Sequence, residues 1–371
     1  MSSAQDISLS IERVEKLIQK HVLSSDLAVV KLAEAKNHGF RCQTAGFKIY
    51  VIDLHGGGKD KDSTKTTASC FLTISKPDST ESSGANSPNT LAVIHTLLAL
   101  IRDKTSIPIS DSILDTSHDI IPFDFLLSPP TPFSSSDIIT LREAKAQGLL
   151  DAKHQALIDL QIGQLLAQLH TNVQNDWYGR PALKGEEPSE PSYSWQETFT
   201  LLFDTLLSRV KEKGYDLPQY SDIQTHMSRA IAFSVFDDVE VPSLVWFTGS
   251  DADIYLSLPT SPSTKTPGIV AILPSMPYTL WGDPLLETFF LQLESCKAIL
   301  EGYTGSGGGA LVSFPRQKTK RVWYTLFLAL TVLDGYLSSS DNAQEIPEDK
   351  KKWAEETIAE CTEVLKTAPC Y

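Results

Sequence analysis

The stretch "VPSLVWFTGSDADIYLSL" (Val241 to Leu258) places two carboxylates, Asp251 and Asp253, in a polar loop between apolar runs. An Asp-x-Asp pair can serve as an acid or base, or hold a cation. It is equally at home as solvated turn carboxylates. Trp246, Phe247 and Thr248 open the same loop. Pro242 and a short apolar run lead into it, and Ile254, Leu256 and Leu258 follow at alternate positions, which predicts strand, turn, strand: a hairpin over 243–258. Other chemistry-like signals carry less. "HGGG" (His55 to Gly58) imitates a lipase oxyanion motif, but no GxSxG elbow accompanies it, so a hairpin tip is expected. "GYTGSGGGAL" (302–311) lacks the Lys-Ser/Thr of a phosphate loop and reads as a helix stop and linker. The eight histidines are dispersed without an HExxH, so no metal site and no cofactor are expected. His170, at the end of an amphipathic helix, is expected to be a packed, hydrogen-bonded residue.

The elements that would position these residues fall into two groups. Helical spacing over 8–22 is followed by strand-like runs at 47–54 and 68–75, a helix at 90–103, and a strand at 120–127. Residues 1–130 therefore read as an antiparallel-sheet lobe with one packed helix, an α+β arrangement. The segment 76–89, "KPDSTESSGANSPN", has loop composition, and "SPPTPFSSS" (128–136) forms a hinge. Residues 131–371 are mostly helical, with helices expected at 151–173, 194–213, 219–235, 283–303, 319–338 and 348–366, interrupted by the hairpin. No solenoid repeat is evident.

Composition narrows the partners. The 371-residue chain is 41% hydrophobic and 21% charged, ordinary for a globular protein, and its 32 basic against 46 acidic side chains give a net charge of −14. Nucleic acid is excluded as a partner, because it needs clustered Lys and Arg. The densest basic group, Lys318 to Arg321, reads as a solvated helix start. No apolar run reaches the ~18 residues of a membrane span, and the N-terminus has no basic leader before an apolar core. Five scattered cysteines without a CxxC pair fit a reduced compartment, so a cytoplasmic protein is expected.

Three stretches carry a resemblance. "LIDLQIGQLLAQLHTNVQNDWYGRP" (157–181), "TSIPIS" (105–110) and "LWGDPLLETFF" (280–290) resemble segments of the aminoglycoside phosphotransferase/choline kinase-like family, particularly its fungal members, across residues 45–300. Asp283 also suits a helix N-cap with Pro284 at the first helical position. The resemblance implies a two-lobed protein-kinase-like fold with a helical lobe after the hinge.

It also implies working residues that this chain lacks. The family loop reads His-Gly-Asp with Asn five residues on; the matching positions are Trp246, Phe247, Thr248 and Asp253. The family Asp accepts the proton of the acceptor hydroxyl, which a threonine does not do near neutral pH. The second metal-binding Asp matches Ser275, and 254–282 contain no Asp or Glu at all. The nucleotide-phosphate Lys falls at Thr73, with Lys76 nearby, and its helix Glu at Ile94. At the hinge, Pro129 and Pro130 offer no N–H to an adenine. The expectation is a degenerate kinase-fold protein, a pseudokinase that has lost ATP-dependent phosphoryl transfer. Its partner would be a small, largely apolar metabolite in the old inter-lobe cleft, or a protein for which it acts as scaffold. The alternative is a repurposed isomerase, cyclase or lyase of secondary metabolism. In this reading Trp246, Phe247, Tyr255, Met276 and Tyr278 gather around the former catalytic centre, either lining or filling it. Asp251 and Asp253 are the candidate acids or bases.

Overall fold

Parity along the strands decides how the sheet of the N-terminal lobe is used. The computed structural model describes residues 9–22, 27–35, 39–40, 47–56, 68–75, 86–131, 138–257, 268–272, 276–291, 297–338 and 348–370. Strands β1 (Leu27–Glu34), β2 (Phe47–Gly56), β3 (Ala68–Ser75), β4 (Ile113–Asp115) and β5 (Asp124–Leu127) form an antiparallel sheet in the order β1-β2-β3-β5-β4. Tyr50, Ile52 and Leu54 of β2 and Cys70, Leu72 and Ile74 of β3 share one face. There they pack with Val14, Leu17 and Ile18 of helix α1 (Ile11–His21). The alternate residues, Ile49 and Phe71, point the other way, toward the C-terminal lobe. Helix α2 (Leu91–Lys104), capped by Thr90, buries Leu91, Ile94, Leu97, Leu98 and Ile101 in the same large core as the C-terminal helices.

The C-terminal lobe begins with β6 (Ile138–Thr140) and α3 (Leu141–Ala146), joined by a Thr140–Glu143 capping box. Helices α4 (Ala152–Asn172), α5 (Trp195–Glu212) and α6 (Tyr220–Ala232) follow. Then come β7 (Ser243–Val245), a 3-10 turn at Asp251–Asp253, β8 (Ile254–Ser257), β9 (Gly268–Ile272) and β10 (Leu280–Gly282). The chain ends with α7 (Thr288–Leu291), α8 (Lys297–Gly305), α9 (Pro315–Ser338) and α10 (Glu348–Thr367). Helices α4 and α8 touch backbone to backbone: a Cβ on Gly163 would meet the carbonyl oxygen of Ile299 at 2.0 Å, and one on Gly302 that of Leu160 at 2.1 Å. Any larger residue there would push apart the helix that carries His170.

Several sequence expectations are corrected. The loop at 246–253 is not a hairpin: β7 pairs with β10, and β8 pairs with β6 and β9, so its two strands belong to different sheets. Phe247 in the left-handed region (φ 62°) and the 3-10 turn redirect the chain between them. The helix expected over 283–303 is a 3-10 turn at Pro284–Leu286, capped by Asp283, followed by the separate α7 and α8. Lys320 is 3% exposed rather than solvated; its ammonium lies 2.7 Å from both Asp283 and Asp238. Strands β1, β4 and β6 were not predicted: β4 and β6 are three residues long, and β1 is an edge strand with irregular register at Val29/Lys31.

Candidate functional site

The loop between β7 and β8 is held from behind by side chains of the segment after β10. Glu287, with no exposed surface, accepts the backbone N–H of Trp246 at 2.6 Å through Oε1. The same oxygen lies 3.3 Å from Nε2 of buried His170, whose Nδ1 is 3.0 Å from the Tyr303 hydroxyl. Since a carboxylate only accepts, Nε2 donates to it. Burial, with Asp283 and Glu287 nearby, raises the Tyr303 pKa well above the tyrosine range, so the phenol keeps its proton. Thr288 Oγ1 donates to the carbonyl of Gly249, which grips the loop a second time.

This grip leaves the loop side chains turned inward. Thr248, which the resemblance matches to the family Asp, is 1% exposed, and its Oγ1 has no hydrogen-bond partner among the described residues. Phe247 stacks on Phe327 with ring centroids 5.2 Å apart. Asp253 is 2% exposed; its Oδ2 accepts the Ser250 N–H at 3.0 Å and hydroxyl at 2.9 Å, closing the 3-10 turn. Of the two carboxylates, Asp251 is the one at an opening: its side chain is 34% exposed and pairs with Lys145 of α3 at 2.8 Å.

The five expected ligand contacts do not share one cavity. Trp246 and Met276 border a wholly apolar void of about 20 Å³, with Ile107, Leu166, Ile272 and Phe289. That is room for about one water, not for a metabolite. Phe247 and Tyr278 face a separate crevice with Asn89, Arg180 and Asp334. Tyr255 lies between the lobes, its ring centroid 5.4 Å from that of Phe71, in a cluster with Ile49 and Ala271.

The positions that would hold magnesium–ATP can be tested against that group. Thr73 is 3% exposed with an unpartnered hydroxyl, and Ile94 is 1% exposed in the helix core. At the hinge, Ser128 N–H donates to Phe71 O at 2.9 Å and Thr131 N–H to Ser69 O at 2.7 Å, while Pro129 and Pro130 have none to give. Every N–H of 128–131 is thus spent on β3 or missing. These described positions do not fit the nucleotide; Lys76 and Ser275 lie outside the described residues. Among the described residues, no three His, Cys, Asp or Glu side chains come together as a metal site, and no helix is long and apolar enough to cross a membrane.

The lobes are also tied together. Asn89, just before α2, donates from its backbone N–H to Pro277 O at 2.6 Å and from its side chain to Thr279 O at 2.8 Å and Met276 O at 3.2 Å. Arg180 donates to Pro88 O at 3.0 Å.

Open space lies instead beyond Asp251. A cavity of about 360 Å³ is bounded by Gly249, Ser250 and Asp251 of the loop, Arg142 of α3, Thr288 and Phe289 of α7, Val332 of α9, and Asp349, Lys350 and Trp353 of α10. Gly39 and Phe40, from between β1 and β2, complete it. Phe40 packs on Trp353 with centroids 5.0 Å apart, and Lys350 donates to Gly39 O. Gly39 sits so close to the loop that a Cβ there would lie 1.9 Å from Ser250 Oγ. The sequence reasoning missed most of these residues. Glu287, a carboxylate inside the apolar run "LLETFF", is a signal from which a buried role could have been read; Arg142, Lys350 and Trp353 carry no local signal.

No family model and no curated protein sequence matches this chain. Solved structures do. A Ralstonia eutropha JMP134 protein assigned as an aminoglycoside phosphotransferase is 12% identical and superposes with a TM-score of 0.59, covering 98% of this chain and 100% of its own. APH(2″)-IIa, solved with streptomycin and ATP, gives 13%, 0.51, 96% and 99%, and the choline kinase LicA of Streptococcus pneumoniae 11%, 0.51, 94% and 98%. With an antiparallel-sheet N-terminal lobe and a mainly helical C-terminal lobe, this chain has the two-lobed kinase-like α+β fold of those proteins.

Proposed function

We propose that the protein is a kinase-fold small-molecule binding protein that does not transfer phosphoryl groups, with its ligand in the cavity beside Asp251 rather than between the lobes. The observation that carries this is the Phe71–Tyr255 contact across the old cleft, joined to a hinge whose N–H groups are already used. A ligand between the lobes would have to break that contact, whereas the cavity at 249–251 is preformed and its volume lies within the ~300–1,000 Å³ of small-molecule sites. Electrostatic stabilisation supplies most of phosphoryl-transfer catalysis, and the buried Thr248 and Thr73 supply none. The test is a melting experiment with millimolar ATP and magnesium. Ligand at a hundred times its dissociation constant stabilises by ~2.7 kcal/mol, so no shift is expected here. A magnesium-dependent shift, or phosphate transfer to any hydroxyl compound, would overturn the proposal.

A second reading, a repurposed enzyme of isomerase, cyclase or lyase type, is favoured by one observation: Asp251 faces the cavity with Lys145 at 2.8 Å, a carboxylate–ammonium pair able to move a proton. Asp251→Asn separates the two. Binding kept with turnover lost indicates the enzyme; both unchanged indicates the binding protein.

A further inference from the structure

We propose that Phe289 decides which ligand this cavity takes: its ring is a gate, and the ligand carries an uncharged hydrocarbon end that passes it into the apolar void behind. The proposal rests on the preceding reading that the cavity is the ligand site. Phe289 borders both spaces. On one side lies the cavity of about 360 Å³ beside Gly249 to Asp251, and on the other the void of about 20 Å³, lined by Ile162, Leu166, Trp246, Ile254 and Met276. No polar surface faces that void. Water there would find no hydrogen-bond partner, so hydrocarbon is what such a space takes favourably. The void alone is too small for a metabolite, but with the ring turned aside it becomes the inner end of the cavity.

The partition between the two spaces has a fixed part and a movable part. Trp246 is fixed. Glu287 holds its backbone N–H at 2.6 Å, and the main chain of Gly249 lies so close to the indole that a Cβ there would come within 2.5 Å of it. Phe290, the next residue of α7, is fully buried, with its ring 5.0 Å from that of Tyr303 and 6.4 Å from that of His170. Phe289 is packed more loosely. Among the described residues its ring meets one other, that of Trp246, at 6.4 Å, and it is 8% exposed. A change of side-chain rotamer takes the ring out of the partition without moving α7. On the far wall Met276 has three rotatable bonds with which to fit what enters. The turned ring then packs on the incoming hydrocarbon.

The experiment uses the full chain and a neutral series with one head and a growing tail: benzyl alcohol, 4-ethylbenzyl alcohol and 4-butylbenzyl alcohol. Calorimetry gives the affinity, and methyl NMR of Ile162, Leu166 and Ile254 gives the position of the tail. Wild type should bind ~4-fold more tightly for each added methylene, the worth of burying one, and the butyl compound should shift those methyl signals. Phe289→Ala, which leaves the partition open, should bind the butyl compound at least ~4-fold more tightly than wild type does. Leu166→Phe, which fills the void, should remove the gain from lengthening. Thermal unfolding first shows each variant folded, and the wild-type series decides without them. No rise in affinity from ethyl to butyl in wild type, or void methyl signals unmoved by the butyl compound, would overturn the proposal. So would a gain that survives in Leu166→Phe, or no tightening in Phe289→Ala. If the series binds with a flat profile and Trp353→Leu weakens it, the gate fails while the cavity remains the ligand site. If Trp353→Leu changes nothing, or magnesium–ATP binds where the series does not, the underlying reading fails as well.

Discussion

Phe247 offers a direct measurement of the backbone on which the site depends. Its φ of 62° lies in the left-handed region, at the position where the resembling family has Gly, and its ring is 2% exposed against Phe327. Phe247→Ala and Phe247→Gly remove the same ring, and each should lose ~3–5 kcal/mol. In a helix or strand the Gly variant would be the weaker by ~0.5–1 kcal/mol. Here the order should reverse. An L side chain in this conformation costs ~1–2 kcal/mol, which Gly escapes, so Phe247→Gly should exceed Phe247→Ala by ~1 kcal/mol. In urea unfolding with a slope near ~3 kcal/mol/M, that is a midpoint difference of ~0.3 M. An alanine variant as stable as the glycine variant, or more so, would refute the left-handed turn and with it the reason that Thr248 is buried.

Thr73→Val should be neutral or stabilising by ~1 kcal/mol, since it removes a buried hydroxyl without a partner; a loss of more than that in equilibrium unfolding would mean the hydroxyl is bonded. Thr248→Asp should lower the melting temperature, by burying a carboxylate, without giving any ATP-dependent phosphorylation of hydroxyl compounds in a radiolabel assay. Lys320→Met should cost ~3–5 kcal/mol, because it strands Asp283 without its cation. The same pair predicts alkaline sensitivity. Burial opposes the charge of Lys320, but Asp283 and Asp238 more than offset this and raise its pKa above 10.5; burial and Asp283 hold Tyr324 well above 10.0. The unfolded chain releases these protons near their ordinary values while the folded chain keeps them. Stability present at neutral pH should therefore fall as pH rises past ~10, a midpoint-against-pH profile that Lys320→Met should flatten.

Legibility in the sequence followed the range of the interactions. Local signals predicted well: Asp283 with Pro284, and the helical patterns of α4, α5 and α10, each mark an element that exists. Pairing partners did not follow from local pattern. Apolar alternation at Ile254 and Leu256 identifies β8 as a strand, but nothing in it says that the partner is β9 rather than β7. Burial of charge was likewise hidden, since Lys320 looks solvated until Asp238 and Asp283 are brought to it from distant segments. For the site, the positions that differ from the family pattern come from the resemblance rather than from spacing. Which aromatics line space and which fill it could be read from neither, because that depends on Phe71 reaching Tyr255 from the other lobe.

The path of the loop between β7 and β8 has a physical cause in how it is held. Glu287 binds the N–H of Trp246, Thr288 binds the carbonyl of Gly249, and Asp253 binds the N–H of Ser250. All three are contacts to the main chain, indifferent to the side chain at 246 or 248. The side chains at 246 and 248 can therefore vary while the path of the loop stays fixed. At the hinge the side chains take part as well: Ser128 Oγ accepts from Phe71 N–H, and Thr131 Oγ1 donates to Ser69 O, beside the backbone bonds to β3. The outer edge of the loop, Ser250 and Asp251, is half-buried and polar, while Gly249 beside it is buried. That edge, with α3 and α10 beside it, borders the cavity proposed above as the ligand site, and occupation of that cavity would leave the Asn89 and Arg180 ties between the lobes intact.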